Sequence, residues 1–461
     1  MSRRFDVGIL GGGIVGASAA FEAARRGASV FLVDRGDLAG GASSNSMRIA
    51  HGGLRYLQHL DLRRCRESVR ERRRLLRLAP RTIRPLPCRL ELGGRSPLYR
   101  AAFAAGLLAN ELLSADRNLG VPRGARLPVA RYPRWFDALI EDTEGLLLSL
   151  LHTAGSLAPL EIRLHTVADP EPLPAGGHLL RLPDGGAVEV RTLLRCTGGD
   201  EGDAPAVVSM NLVVDRLGLG RDGTGVGFRH PDDGRNVFCV PWRGCTIVGT
   251  YDRTDPGPSD RPLQLREAWV DEMLRWLAPV HPELAALDRR RIRLVHAGRL
   301  PPARPGERTP TDRAVIARLS DGSTRVVSPK WTTALGVASR AVGGLLGPAP
   351  RSEGPGLVDR GRLREEFRRE RGPERPARPA AGAPDPTAVR FHVEREWATH
   401  LEDLLLRRSG LAATGHPGVR RAEAVARLMG EALGWDEARL REELEAFHGH
   451  PRFAGNVPLH P

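Results

Sequence analysis

The sequence predicts an α/β fold with a dinucleotide-binding unit at its N-terminus, on three observations. An apolar run, Val7 to Leu10, enters the glycine turn Gly11, Gly12, Gly13, Ile14, Val15, Gly16. An Ala-rich helical stretch follows, and a second apolar run, Ala28 to Val33, closes on Asp34. Strand, turn, helix and strand succeed one another within the length of one βαβ unit. Gly11, Gly13 and Gly16 have separate physical tasks: a tight turn, a backbone that a pyrophosphate can approach, and helix-to-strand packing with no side chain between. The helix N-terminus at Ile14 and Val15 aims its unpaired N–H groups and positive dipole end at the phosphates. Asp34 sits where a carboxylate accepts hydrogen bonds from the adenosine ribose, which argues against a 2′-phosphorylated cofactor. These residues do not separate FAD from NAD.

At 461 residues the chain has room for two or three domains. Charged residues at 27% and hydrophobic residues at 41% fit a globular protein and exclude a disordered one. A formal charge of +14 would ordinarily point to nucleic acid or an anionic membrane. Lys330 is the single lysine, however, so the excess is arginine spread along the chain. No finger, RNP or helix-turn-helix pattern accompanies it, and nucleic acid is not an expected partner. Cys65, Cys88, Cys196, Cys239 and Cys245 are odd in number, with no CxxC, which suits reduced thiols in a cytoplasmic protein and no metal site. No signal peptide is expected before the first strand. Apolar stretches such as Ala101 to Leu108 are too short to span a bilayer. A peripheral contact with the inner face of the membrane and a homodimer both stay open.

Beyond Asp34, Arg35 leads to the small hydroxyl residues Ser43, Ser44 and Ser46, which can bond phosphate and ribityl oxygens. Met47 to Gln58 reads MRIAHGGLRYLQ. There Gly52 and Gly53 permit backbone approach to a flat ring, while His51, Arg55 and Tyr56 offer a base, a fixed cation and a hydroxyl. The stretch Asp61 to Ala79 is a helix with an apolar stripe and an arginine face, ended by Pro80, Pro85 and Pro87. Leu98 to Leu113 and Glu144 to Ala158 are helical, Arg117 to Tyr132 is loop, and Ile162 to Val167 is a strand. Pro183 to Gly186 turns a hairpin. Leu193 to Cys196 is a strand ending in Thr197 and Gly198. Phe238 to Tyr251 is a hairpin turned at Arg243 and Gly244, with Trp242 in the core. An amphipathic helix covers Leu263 to Leu277. Val326 to Val342 is a strand, a turn carrying Lys330, Trp331 and Thr332, and a helix. In a chain that uses arginine at every other basic position, a compact ammonium at Lys330 reads as functional. Arg351 to Ala388, rich in Pro, Gly and Arg, reads as a linker, and Arg390 to Phe447 returns to helix-forming composition.

The order GGGIVG, LVDRGD, ASSNSMRIAHGGLRYL and the basic helix RESVRERRRLLRLAP resembles the N-terminal third of FAD-dependent glycerol-3-phosphate dehydrogenases, which are flavoproteins of the D-amino-acid-oxidase type. The resemblance implies a Rossmann-like FAD-binding domain from 1–80, 140–200 and 290–350. It further implies an antiparallel-sheet substrate domain from 81–139 and 201–289, a linker at 351–388 and a C-terminal helical domain at 389–461. FAD is the implied cofactor, held by Gly11, Gly13, Ile14, Val15, Gly16, Asp34, Arg35, Ser43, Ser44, Ser46, Gly52, Gly53, Leu54, Val167, Thr197, Gly198, Trp331 and Thr332. His296 to Pro301 is similar to the segment that carries the family's substrate-binding arginine, here Arg299. Hydride would leave a carbinol carbon of a small anionic substrate, glycerol 3-phosphate in the family, and pass through flavin to a quinone or oxygen. His51, Arg55 and Lys330 are the implied catalytic residues; Arg55, Tyr56, Arg299 and Lys330 bind substrate. The glycine pair usual before the lysine is Ser328 and Pro329 here, and Leu335 replaces an expected arginine. An amine, amino-acid or hydroxy-acid oxidase of the same fold is therefore the alternative.

Overall fold

The computed structural model describes residues 3–53, 56, 61–92, 96–114, 134–199, 205–255, 257, 263–304, 307–348, 350, 356–371 and 384–453. The glycine unit folds as β1 (Arg3–Leu10), α1 (Ile14–Ala24) and β2 (Val30–Val33). A short β3 (Ile49–Ala50) precedes α2 (Leu62–Leu78), β4 (Ile83–Leu90), α3 (Pro97–Ser114) and β5 (Arg134–Ile140). Next come α4 (Thr143–Leu157), β6 (Leu160–Arg163), β7 (Asp169–Pro172), β8 (His178–Arg181) and β9 (Ala187–Arg195). The strands β10 (Val207–Asp215), β11 (Gly225–Arg229), β12 (Asn236–Trp242) and β13 (Cys245–Thr254) precede α5 (Glu267–Leu277). After β14 (Ile292–Leu300), β15 (Val315–Arg318) and β16 (Thr324–Val327) come α6 (Ala334–Leu346), α7 (Arg360–Glu370), α8 (Pro386–Glu396), α9 (Val419–Leu433) and α10 (Glu437–His448).

Two eight-stranded sheets result. In the first, β16, β9, β1, β2 and β6 run parallel, and Gly8 of β1 lies between Phe31 and Leu193. Apolar strands buried on both faces need helices on both sides. Helix α1 supplies one cover, packing Ala17, Ala20 and Phe21 with α4 and α6 into a single core. The second sheet has the order β14-β10-β13-β12-β11-β4-β5-β3 and is antiparallel except for β4 beside β11. Its hairpin between β12 and β13 turns at Arg243 and Gly244, both with positive φ, the backbone a two-residue turn requires. Trp242 is buried, with the Arg48 guanidinium 4.3 Å over its ring. The chain passes between the sheets through β3, where Ala50 pairs with Ala138 and Ile49 with Leu139.

Three expectations are corrected. The strand after α4 is Leu160–Arg163, so Val167 lies beyond it and is 65% exposed. Helix α5 starts at Glu267, leaving 263–266 extended, because Arg266 takes up β-region angles as its N-cap. Within the stretch read as linker, 360–370 is helical, with Phe367 buried against Phe391. Arg360 pins that helix by donating to both oxygens of the fully buried Glu396, at 2.6 and 2.7 Å. The loop expected at Arg117 to Tyr132 lies outside the described residues. All five cysteines are buried, and none forms a disulfide among the described residues.

Candidate active site

The glycine turn is forced by close approach. Gly11 has φ +107°, and a Cβ there would lie 2.6 Å from the Cys196 carbonyl oxygen; one on Gly16 would lie 1.9 Å from the Gly11 carbonyl oxygen. Helix α1 begins at Gly13 with no side-chain cap of its own. The Ile14 N–H instead donates to Ser43 Oγ at 2.9 Å, which draws the serine loop against the helix N-terminus. Val15 follows, buried in the first turn. Asp34 accepts from Gly12 N–H at 2.5 Å and Gly36 N–H at 2.7 Å. Burial pushes its carboxyl above the ordinary range against the pull of those two donors. Arg35 is exposed beside it.

Two further turns close on this loop. Trp331 Nε1 donates to the Ser43 carbonyl at 2.9 Å, and Thr332 Oγ1 accepts from the His51 N–H at 3.0 Å. The turn between β16 and α6 is thus tied both to the serine loop and to the histidine loop. Gly198 has φ +69°, and a Cβ on Gly199 would lie 2.7 Å from the Arg299 carbonyl carbon, so the Thr197 turn touches β14. On β14, a Cβ on Gly298 would lie 2.5 Å from Ala42 Cα, which places that strand against the serine loop.

The histidine loop packs on α2. A Cβ on Gly52 would meet Arg72 Nη1 at 2.3 Å, and one on Gly53 (φ +83°) would meet Ser68 and Cys65 at 3.0–3.1 Å. Helix packing alone therefore requires both glycines. The Lys330 ammonium stands 3.9 Å over the buried Tyr56 ring, a cation–π contact. Arg299 is buried and donates through Nε to Asp255 Oδ2 at 2.7 Å. Leu54 and Arg55 lie outside the described residues. Ser44 is buried, and its hydroxyl accepts from Arg452 Nη2 at 2.9 Å, while Ser46 Oγ accepts from the Arg48 N–H at 3.1 Å.

Sequence reasoning missed Asp137. Its Oδ1 accepts the Gly52 N–H at 2.6 Å; its Oδ2 lies 3.4 Å from His51 Nδ1 and accepts Trp135 Nε1–H at 3.1 Å. Burial works to raise its pKa, yet the bond and charge of His51, the Arg72 guanidinium and the Gly52 N–H bring it down to about 2. The available signal was a lone acid between apolar residues in RWFDALI. Also missed was Asp37, fully buried and held by Arg407 Nε and by Arg408, whose Nη1 donates at 2.9 Å. Asp37, His165 and Asp403 lie close enough to suggest a metal. Arginine already fills that place: Arg407 bridges Asp37 and Asp403, which also accepts from the Thr399 and His400 N–H groups.

The close-packed glycine turn at the start of α1 and the acid that follows β2 define a dinucleotide-binding protein. The family described as FAD dependent oxidoreductase matches residues 6–342, and the chain belongs to it; the C-terminal domain of alpha-glycerophosphate oxidase matches residues 367–440. A glycerol-3-phosphate dehydrogenase of Mycobacterium leprae is 26% identical over 97% of this chain and 88% of that protein. Among solved structures, the glycerol-3-phosphate dehydrogenase from Bacillus halodurans complexed with FAD superposes with TM-score 0.65 at 19% identity, over 96% of this chain and 94% of that one. Glycine oxidase from Geobacillus kaustophilus gives 0.51 at 17%, over 77% of this chain and all of that one. The residues present fit FAD. The turn from Gly11 to Gly16 closes backbone on backbone where no Cβ could fit, α1 opens with no side-chain cap from Gly13 itself, and Asp34 follows β2.

Proposed function

We propose that the protein oxidises the carbinol carbon of sn-glycerol 3-phosphate and passes the electrons to a quinone-type acceptor. The carrying observation is the His51 N–H to Thr332 hydrogen bond, which joins the histidine loop to the turn that carries Lys330. Bound FAD supplies the hydride acceptor. His51 takes the hydroxyl proton as the C–H bond breaks, so that the carbinol becomes a ketone. Lys330, steadied over Tyr56, faces the substrate's negative charge as a point cation. Arg299 and Arg55 clamp the phosphate with charge-assisted bonds. Asp255 holds Arg299 by Nε, which fixes the direction of the rest of the fork.

The cofactor contacts proposed are the glycine turn with Ile14 and Val15, Asp34 and Arg35 at the ribose, and Ser43, Trp331, Thr332 and Thr197–Gly198 along the chain of the dinucleotide. The second reading keeps the flavin and puts a carboxylate on the arginines; Ser328, Pro329 and Leu335, where the phosphate-type pattern is lost, favour it. A substrate panel tests the choice. Glycerol 3-phosphate turned over with a quinone and little peroxide supports the proposal, whereas peroxide from glycine or a 2-hydroxy acid supports the rival.

No helix among the described residues is long and apolar enough to cross a membrane. A peripheral contact is proposed at α2, where Arg63, Arg66, Arg70 and Arg77 are exposed beside Leu62, with Leu98 at the start of α3 80% exposed. Sedimentation with anionic vesicles that about 0.5 M salt does not reduce (roughly three times physiological ionic strength) would count against it.

A further inference from the structure

We propose that Asp137 is the positioning residue of the base: its carboxylate holds the proton on His51 Nδ1, leaving Nε2 as the lone pair that meets the substrate hydroxyl. This rests on the reading of His51 as base given above.

Strand pairing carries the argument. Ala50 of β3 lies opposite Ala138 of β5, so the next residue on one strand, His51, and the preceding one on the other, Asp137, come side by side. The two are 86 residues apart in the chain, and the sheet register alone joins them. The His51 side chain is 41% exposed while that of Asp137 is 6% exposed, so the ring turns one edge to the carboxylate and the other to open space. The remaining oxygen positions of Asp137 are occupied. Oδ1 takes the Gly52 N–H, Trp135 shares Oδ2, and Arg72 Nη1 stands 3.5 Å from Oδ1. With donors on every side, the carboxylate stays ionised and acts as an acceptor only. An acceptor at Nδ1 requires a proton there, and a neutral imidazole with Nδ1–H has its lone pair on Nε2.

The same contact serves the reaction step. The substrate O–H proton would pass to Nε2 as the C–O bond becomes a carbonyl, and FAD, when bound, would supply the acceptor for the hydride that leaves the carbon. The imidazolium so formed has its positive charge beside the Asp137 carboxylate, which favours the transfer. Charged or titratable groups facing the pair are Arg72 from α2 and Cys88 from β4. Burial pushes the Cys88 thiol well up, so it stays neutral and adds no charge.

The test is anaerobic stopped-flow bleaching of the holoenzyme by sn-glycerol 3-phosphate, across pH, for wild type, His51→Asn, Asp137→Asn and the double variant. Asp137→Asn should slow bleaching roughly hundredfold. FAD affinity should hold, because the Asn carbonyl still accepts the Gly52 N–H. The double variant should be no slower than His51→Asn, as expected when one residue acts through the other. An additive loss in the double variant, or loss of FAD, would overturn the proposal and leave Asp137 a loop support. His51→Asn slow with Asp137→Asn normal removes this inference alone, whereas His51→Asn at full rate removes the base assignment and this inference with it. Nitrogen-15 spectra of histidine-labelled wild-type holoenzyme, with His51→Asn to assign the signal, give a reading independent of the Asp137 variant. Protonated Nδ1 in the neutral ring is expected, and protonated Nε2 overturns it.

Discussion

Replacing Asp37 by alanine tests how the C-terminal helices hold the serine loop. Asp37 lies on that loop, three residues after Asp34, and it neutralises Arg407 and Arg408 at a contact whose side chains are all nearly inaccessible. Burial alone would lower the Arg407 pKa, but Asp37, Glu402 and Asp403 hold it well above the ordinary value, so the guanidinium stays charged. In the variant, Arg407 keeps Asp403 and Glu402, each at 2.8 Å, while Arg408, among the described residues, keeps only the Glu396 carbonyl, at 2.7 Å. Breaking a buried pair on one side costs about 3–5 kcal/mol, chiefly because a charge is left buried without its partner. On a chain of this size that lowers the melting temperature by roughly 3–5 °C. Because Ser43 on the same loop holds the Ile14 N–H, FAD should also bind more weakly. Scanning fluorimetry with and without excess FAD, with the exposed Asp288→Ala as control, reads both effects. A variant that melts with the wild type and retains its flavin would refute the reasoning.

Gly16→Ala puts a methyl group where the Gly11 carbonyl oxygen stands, so the turn must open; gel filtration should yield a folded but colourless protein, and a yellow one would contradict the turn's role. Lys330→Met removes the ammonium over Tyr56 and should raise KM for an anionic substrate roughly tenfold to hundredfold, with dithionite still bleaching the flavin; an unchanged KM would take Lys330 off the substrate. Asp137, with its pKa brought from 3.8 to about 2, contributes about 2 kcal/mol that is fully present above pH 4 and lost as pH falls through 2. Glu144, held down by Arg48 despite its burial, acts in the same direction. Urea midpoints between pH 5 and 2.5 should therefore fall, less steeply for Asp137→Asn, and an identical slope would contradict the assignment.

The parts of the molecule that were legible in the sequence are those whose cause is local. The glycine turn, Asp34 and the strand-turn-helix around Lys330 are each specified by residues within one supersecondary unit. So are the β12–β13 hairpin with its Arg243-Gly244 turn and the buried Trp242. Asp137 was not legible, because its role comes from a strand pairing whose partner, β3, is two residues long and has no periodicity to read. Helix α7 was hidden by composition. Its Arg and Glu residues lie between Pro- and Gly-rich flanks, and a single buried phenylalanine with an Arg360–Glu396 pair holds it in place. The same kind of long-range pairing turned Ser44 toward Arg452. Gly52 and Gly53 were read for approach to a ring, and the structure adds a second demand on them from α2.

The most direct measurement is an anaerobic titration of the purified holoenzyme with sn-glycerol 3-phosphate, following the visible flavin band. The account predicts rapid bleaching, complete at about one equivalent where the reaction runs to the ketone and two electrons pass per flavin. A band unmoved by glycerol 3-phosphate, yet bleached by dithionite and by an amino acid or 2-hydroxy acid, would contradict it.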